Sequence, residues 1–324
     1  MKKFELNKNW SFKIVYPTIS AYLTTYNCVN GKYPFEEAIK SFSWVDELVV
    51  VDGGSTDGTR EKLTQLTEQF SNLSVYDIAI DPEDPLKDGN LKSMARAMCT
   101  SQYLIQFDSD ELCLGDVLKW KTLVKEFADN EEILQLLVIE PFGSLTNVRI
   151  NESHNNLKWR ISKNLPHITH SAPDYDRVEK NGKVYSRGKS DGTFPCHIVT
   201  NKLLNSYALP QEIEASIAKN EKNVSGYIKI LTGYLTTNQP CILHVGHVNL
   251  ENKLKLYVNS WMDWWCCLYN LDCNDSANNQ YFPGIKREEI TDSLISQKVV
   301  ELISQTPSVQ LSQLSEFAQY LTVR

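Results

Sequence analysis

A chain of 324 residues with 42% apolar and 23% charged side chains has the composition of an ordinary globular protein, long enough for one large domain or a domain with an appendage. Its formal net charge of −7 argues against a nucleic-acid backbone as partner, because neutralising phosphates needs a basic face, but not against a nucleotide held by a cation and a few donors. Met1 to Tyr16 carries Lys2 and Lys3 without an apolar core, and no run reaches the length of a membrane span. No secretory leader is therefore expected, and the expected setting is cytoplasmic, at most at the inner face of a membrane. The eight cysteines lack Cys-x-x-Cys spacing and read as reduced thiols rather than zinc ligands.

Ile19 to Leu23 reads as a first core strand, ending in Thr24-Thr25-Tyr26-Asn27. Pro34 to Phe42 has a helical face and a proline at its first turn. Glu47 to Val51 is the clearest strand. It stops at Asp52-Gly53-Gly54-Ser55-Thr56-Asp57-Gly58-Thr59, and a helix, Thr59 to Phe70, follows. Strand, glycine-rich loop and helix make half of a nucleotide-binding βαβ unit. Neither Gly-x-x-x-x-Gly-Lys-Ser/Thr nor Gly-x-Gly-x-x-Gly is present, which disfavours a P-loop or dinucleotide fold. Leu73 to Tyr76 is a third strand, and Asp81 to Pro85 a loop. Gly89 to Cys99 is a helix with Lys92 and Arg96 on one face.

Tyr103 to Phe107 is a short apolar run that breaks off into Asp108-Ser109-Asp110-Glu111. Open α/β sheets bind ligands at the carboxyl ends of their strands, and carboxylates there suit a hard divalent cation bridging a diphosphate. An acidic turn capping the next helix is the plainer reading. Leu118 to Ala128 then reads as helix, and Ile133 to Ile139 as a strand ending at Glu140.

From Asn151 to Thr193 the pattern weakens and turns polar, and an ordered irregular wall is expected there. Trp159, Arg160, His170 and Tyr175 are its candidate acceptor-binding residues, since aromatic faces stack on sugar rings. Gln211 to Asn220 reads as helix and Ile242 to Val245 as a last strand, followed by Gly246-His247. From Glu251 the chain reads as helix to about Tyr269, breaks between Asn274 and Gly284, and is helical again towards the end. A face of Leu254, Tyr257, Val258, Trp261, Trp264, Trp265 and Leu268 is expected to pack on the domain, with peripheral membrane contact as the alternative. The expected architecture is α/β, a mostly parallel doubly wound sheet over residues 1–250, with a C-terminal helical extension over 251–324.

Thr25-Tyr26-Asn27, Val50-Val51-Asp52-Gly53-Gly54-Ser55-Thr56-Asp57-Gly58-Thr59 and the strand ending Asp108-Ser109-Asp110-Glu111 resemble the family 2 glycosyltransferases with the GT-A fold. The likeness runs from residue 17 to about 112. Gly53 stands where many members carry a second Asp, and Lys92 where an Arg is common, which keeps the charge but loses the fork. The resemblance implies a nucleotide-sugar-binding half over about 17–112 and an acceptor-binding half over about 113–250. Thr25, Tyr26 and Asn27 would line the donor pocket with Asp52, Gly53 and Ser55. Asp108 and Ser109 would face the ribose, Asp110 would hold Mn²⁺ or Mg²⁺ on the diphosphate, and Lys92 would be a cationic neighbour. His244 is the second candidate metal ligand, with His247 a weaker one.

Members of the family resemble inverting enzymes, which need a base on the acceptor hydroxyl. The usual Glu-Asp pair is absent. Asp191 is the first candidate, Glu140 the second, and Glu212 or Glu214 the third. The implied activity is metal-dependent transfer of a sugar from a nucleotide-diphosphate donor to a hydroxyl of a glycan, lipid-linked or protein acceptor. A nucleotidyltransferase or an inactive nucleotide- or sugar-binding module is the alternative.

Overall fold

The structure, a computed structural model, describes residues 16–315 apart from 82–83, 85–86, 128–131, 150–156, 167, 171–174, 181–182, 189–198, 201–230, 269–270, 307 and 313. Four parallel strands form one side of its main sheet: β1 (Ile19–Thr25), β2 (Glu47–Asp52), β3 (Leu73–Asp77) and β4 (Tyr103–Gln106), in the order β3-β2-β1-β4. Side chains alternate between the faces of a strand, and both faces here are apolar. Ile19, Ala21, Leu23, Leu48 and Val50 join the larger core, whereas Tyr22, Val49 and Val51 point the other way. A short turn of helix α1 (Cys28–Gly31), then α2 (Phe35–Ser41) and α3 (Thr59–Gln69), supply residues to the first core. Helix α4 (Lys87–Ala97) covers the second face with Leu91 and Ala95. This is the doubly wound arrangement that the repeated strand-helix pattern predicts.

The sheet then continues to eight strands, β3-β2-β1-β4-β8-β6-β13-β5. The added strands are β5 (Glu111–Leu114), β6 (Ile133–Ile139), β8 (Leu157–Lys163) and β13 (Cys241–His244). Strand β8 runs antiparallel to both β4 and β6, β13 runs parallel to β6, and β5 is antiparallel to β13. Strands β4, β6 and β13 therefore point the same way and end at one edge.

Two of these strands depart from the sequence reading. The segment expected as an irregular wall contains β8, in the middle of the sheet. Its alternation of Lys158, Arg160 and Ser162 hid a buried strand, because the charges are consumed by ion pairs described below. Strand β5 directly follows Asp110, where only a loop was expected. Helix α5 (Val117–Phe127) packs behind it, with Trp120 fully buried and its indole N–H donating to Leu114 O at 2.8 Å. Phe42 and Phe107 stack with ring centroids 4.0 Å apart below the site.

Beyond these, β9 (Ile168–Thr169) pairs with β12 (Val199–Thr200), and β10 (Tyr175–Lys180) forms a hairpin with β11 (Lys183–Gly188). The helix expected over 211–220 lies outside the described residues. The C-terminal extension comprises α6 (Leu250–Leu256), a π-helical turn (Tyr257–Trp261), α7 (Met262–Leu268) and α8 (Asp292–Gln305). Leu254, Tyr257, Val258, Met262, Cys266, Phe282 and Ile295 give it a small core of its own. It is also fastened to the sheet domain. Strand β14 (Ser308–Gln310) pairs with β7 (Asn147–Arg149), and Asn252 Nδ2 donates to Gly31 O at 3.0 Å. No described helix is long and apolar enough to cross a membrane.

Candidate active site

Two loops at the ends of β1 and β2 are tied together almost entirely by side chains of the Asp52–Thr59 stretch. Asp52, 1% exposed, accepts from Thr25 Oγ1 at 2.9 Å, Ser55 Oγ at 2.6 Å and Ser55 N at 2.8 Å. Ser55 Oγ in turn accepts from Asn27 N at 2.8 Å, and Asn27 Oδ1 accepts from Thr56 N at 2.9 Å. Asp57 accepts from Asn30 N at 2.6 Å and from Thr59 Oγ1 at 2.6 Å, and Thr59 Oγ1 accepts from Val29 N at 3.1 Å. Short polar side chains satisfy the loop's own backbone in this way, which is why Asp, Ser and Thr recur in it. Gly54 and Gly58 take φ of 90° and 95°, a left-handed region that favours glycine. A Cβ on Gly53 would stand 3.2 Å from Leu91 Cδ2 and 3.3 Å from Ile80 Cδ1, so little room is left for a side chain there. Tyr26 is 44% exposed on the rim of this cradle, so its ring is available to a ligand.

Asp108 to Glu111 is a tight turn between β4 and β5, with Glu111 N donating to Asp108 O at 3.0 Å and Asp108 N to Glu111 Oε2 at 3.1 Å. Asp108 Oδ1 lies 2.8 Å from Lys92 Nζ, and Asp108 Oδ2 lies 3.1 Å from Arg160 Nη2. Burial opposes its charge, yet Lys92 and Arg160 prevail and hold it well below the usual carboxylate range. Arg160 also donates to Glu111 Oε1 at 2.6 Å and to the side chain of Gln106. The structure thus puts Arg160, 6% exposed, underneath the carboxylates rather than on an outer wall.

Next along the sheet, His244 at the end of β13 lies between two carboxylates. Its Nε2 is 3.4 Å from Asp110 Oδ2, and its Nδ1 is 3.2 Å from Glu140 Oε1 at the end of β6. Burial and Lys158 push the ring towards neutrality, but Asp110 and Glu140 outweigh them and raise its pKa. Burial likewise opposes the charge on Asp110, and His244 reverses the balance, holding it below the carboxylate range. Glu140 also pairs with Arg149 at 2.8 Å and Lys158 at 3.2 Å, so His244, Lys158 and Arg149 keep it ionised in spite of burial. Val245 N donates to Asp110 O at 2.9 Å, fixing the two ligand-bearing turns against each other. A Cβ on Gly246 would collide with Asp110 Oδ2, so the close approach depends on a glycine. Asp110 and His244 present one carboxylate oxygen and one imidazole nitrogen side by side, a donor pair that fits Mn²⁺ or Mg²⁺ when diphosphate oxygens complete the shell. No group of three His, Cys, Asp or Glu side chains converges as a metal cage among the described residues.

Ser109 sits within the Asp108–Glu111 turn. His170 is in the interior, fully buried, with Nε2 2.7 Å from Tyr22 Oη. Trp159 and Tyr175 lie on β8 and β10, and the positions of their side chains are outside the described set, as are Asp191, Glu212 and Glu214. Residue-by-residue reading missed Glu111, Arg149, Lys158 and Gly246. Glu111 stood inside the quoted acidic motif without a role of its own and Gly246 beside His247, whereas Arg149 and Lys158 gave no local signal.

The Asp52 loops and the acidic cluster at the ends of β4, β6 and β13 thus lie along one edge of an α/β sheet. Residues 20–177 match the model of glycosyl transferase family 2, the family that the motifs resemble. Among solved structures, S. aureus TarS is similar at 21% identity and a TM-score of 0.34, covering 45% of this chain and 28% of that one. The mannosyltransferase PcManGT from Pyrobaculum calidifontis, in complex with GDP-Man and Mn²⁺, is similar at 19% identity and a TM-score of 0.32, covering 46% and 45%. Glucosyl-3-phosphoglycerate synthase from Mycobacterium tuberculosis, with Mn²⁺ and UDP-glucose, is similar at 25% identity and a TM-score of 0.27, covering 38% and 44%. The chain spans less than half the length of each of these three. No curated protein matches the sequence.

Proposed function

We propose that the protein transfers a sugar from a nucleotide-diphosphate donor to an acceptor hydroxyl, in a metal-dependent and inverting reaction. The observation that carries this reading is the convergence of Asp108, Asp110, Glu140 and His244 at one edge of the sheet, beside the Asp52 cradle. The base would lie against Tyr26, with the ribose towards Asp108. Asp110 and His244 would hold the divalent cation, which neutralises charge that develops on the diphosphate as the glycosidic bond breaks. Lys92 and Arg160 keep Asp108 ionised and fixed in place, so that little reorganisation is needed when a ligand arrives.

Glu140 is a poor base, because its oxygens already serve Arg149, Lys158 and His244. It acts instead as the anchor that orients His244, as carboxylates do for ligand histidines. Asp191 remains our proposed base, on the sequence alone. The acceptor is taken to be a glycan, a lipid-linked glycan or a protein, and the setting cytoplasmic.

Thermal stability measured against a panel of nucleoside diphosphates, each with and without Mn²⁺, tests the reading. A nucleotide at 100 times its Kd adds about 2.7 kcal/mol. One nucleotide should stabilise only with metal, and Asp110→Ala should remove the effect. If no nucleotide shifts the protein with any metal, the donor assignment is wrong.

A further inference from the structure

A second pocket opens past His244, on the side of the site away from the Asp52 cradle. The C-terminal extension meets the turns after β6 and β13 there, and Phe142, Arg149, His247, Lys253 and Tyr281 line it. Its charge balance is one-sided. Arg149 and Lys158 both spend their charge on Glu140. Among the described residues, Lys253 Nζ has no carboxylate within ion-pair distance, and it rests 4.3 Å from the centroid of the Trp261 ring. His247 Nδ1 and Arg149 Nε are buried without a hydrogen-bond partner. Buried polar atoms left unsatisfied are uncommon and point to a missing partner. Burial depresses the Lys253 pKa, against the pull of Asp110. An incoming anion would relieve that cost.

We propose that this pocket receives a phosphate or carboxylate group of the acceptor, with Lys253 and His247 as its principal contacts. The inference rests on the donor reading above. A donor laid from Tyr26 across Asp108 and Asp110 has its sugar at the His244 end, and whatever lies beyond that end belongs to the acceptor. Phe142 stacks near His247 with ring centroids 6.0 Å apart, and Tyr281 closes the other side, so an anion would sit between aromatic walls. The extension thus completes an acceptor site. Acidic acceptors such as phosphorylated polyols or uronic acids are the matching class.

The test uses the full chain and two probes, inorganic phosphate and glycerol phosphate, titrated calorimetrically with and without saturating nucleoside diphosphate and Mn²⁺. Wild type should bind glycerol phosphate with nucleotide and metal present. Lys253→Ala and Lys253→Gln should each weaken that binding about tenfold, the effect of losing one charge-assisted hydrogen bond, while nucleotide binding stays within about twofold. Binding of inorganic phosphate alone, equally sensitive to Lys253, also supports an anion site. Failure of both probes to bind under either condition overturns the proposal. So does a loss of nucleotide affinity in both variants with phosphate binding unchanged, since Lys253 would then serve the donor. Failure of the nucleotide itself to bind refutes the donor reading instead, and the phosphate titrations keep the two failures apart.

Discussion

The two ends of the site are built by different means. At the Asp52 end, short side chains tie two loops together through hydrogen bonds from hydroxyls and backbone N–H groups, with no cation among the bonds. At the His244 end, Asp110, Glu140, Arg149, Lys158 and His244 come from separate strands and turns and are held by charge. The first kind of construction is additive and tolerates single losses. The second is coupled, because removing one member leaves its partners buried and uncompensated.

The largest effect is expected at Asp110. Asp110→Ala should lower sugar transfer about 10²- to 10³-fold, the range seen when one electrostatic contact to developing charge is removed, and should abolish metal-dependent stabilisation by nucleotide. Initial rates across a Mn²⁺ titration would measure it. Arg160→Met comes next. It leaves Glu111, fully buried, with Lys158 at 3.6 Å as its one cation among the described residues, beside the donor Asp108 N, and should cost about 3 kcal/mol in urea unfolding, the low end for breaking a buried pair. Gly246→Ala should displace Asp110 and raise the Mn²⁺ concentration for half-maximal activity about tenfold, roughly 1.4 kcal/mol, with the melting temperature nearly unchanged. The smallest effect belongs to the cradle. Ser55→Ala removes one hydroxyl from a network with several other ties and should cost about 1 kcal/mol, read by chemical denaturation. A Ser55→Ala loss as large as that of Arg160→Met would erase the contrast between the two ends.

The same contrast explains what the sequence made legible. The Asp52–Thr59 stretch announces itself because its short polar side chains and glycines are gathered in one run of the chain. Strands β1, β2 and β4 are legible as mostly apolar runs, since both of their faces are covered. Strand β8 was hidden. Lys158 and Arg160 look like surface residues until Glu111, Asp108 and Glu140 arrive from elsewhere in the chain. Sequence periodicity reports solvent exposure, and an ion pair between distant residues breaks that link. The same reason explains Arg160 and His170. Both carry chemistry that suits a binding wall, yet one is an ion-pair hub and the other a hydrogen-bonded core residue against Tyr22. Glu140 was found as a strand-end carboxylate, but its three partners, which decide what it does, were not visible.

The pairing of β14 with β7 carries a consequence for how the molecule matures. Arg149, which braces Glu140, lies on β7, whose backbone is tied on one side to residues 140–142 and on the other to β14, residues 308–310. In synthesis, residues 25–59 emerge long before residues 308–310. The Asp52 loops close among residues 25–59, whereas the surroundings of Glu140 are complete only once residues 308–310 have docked.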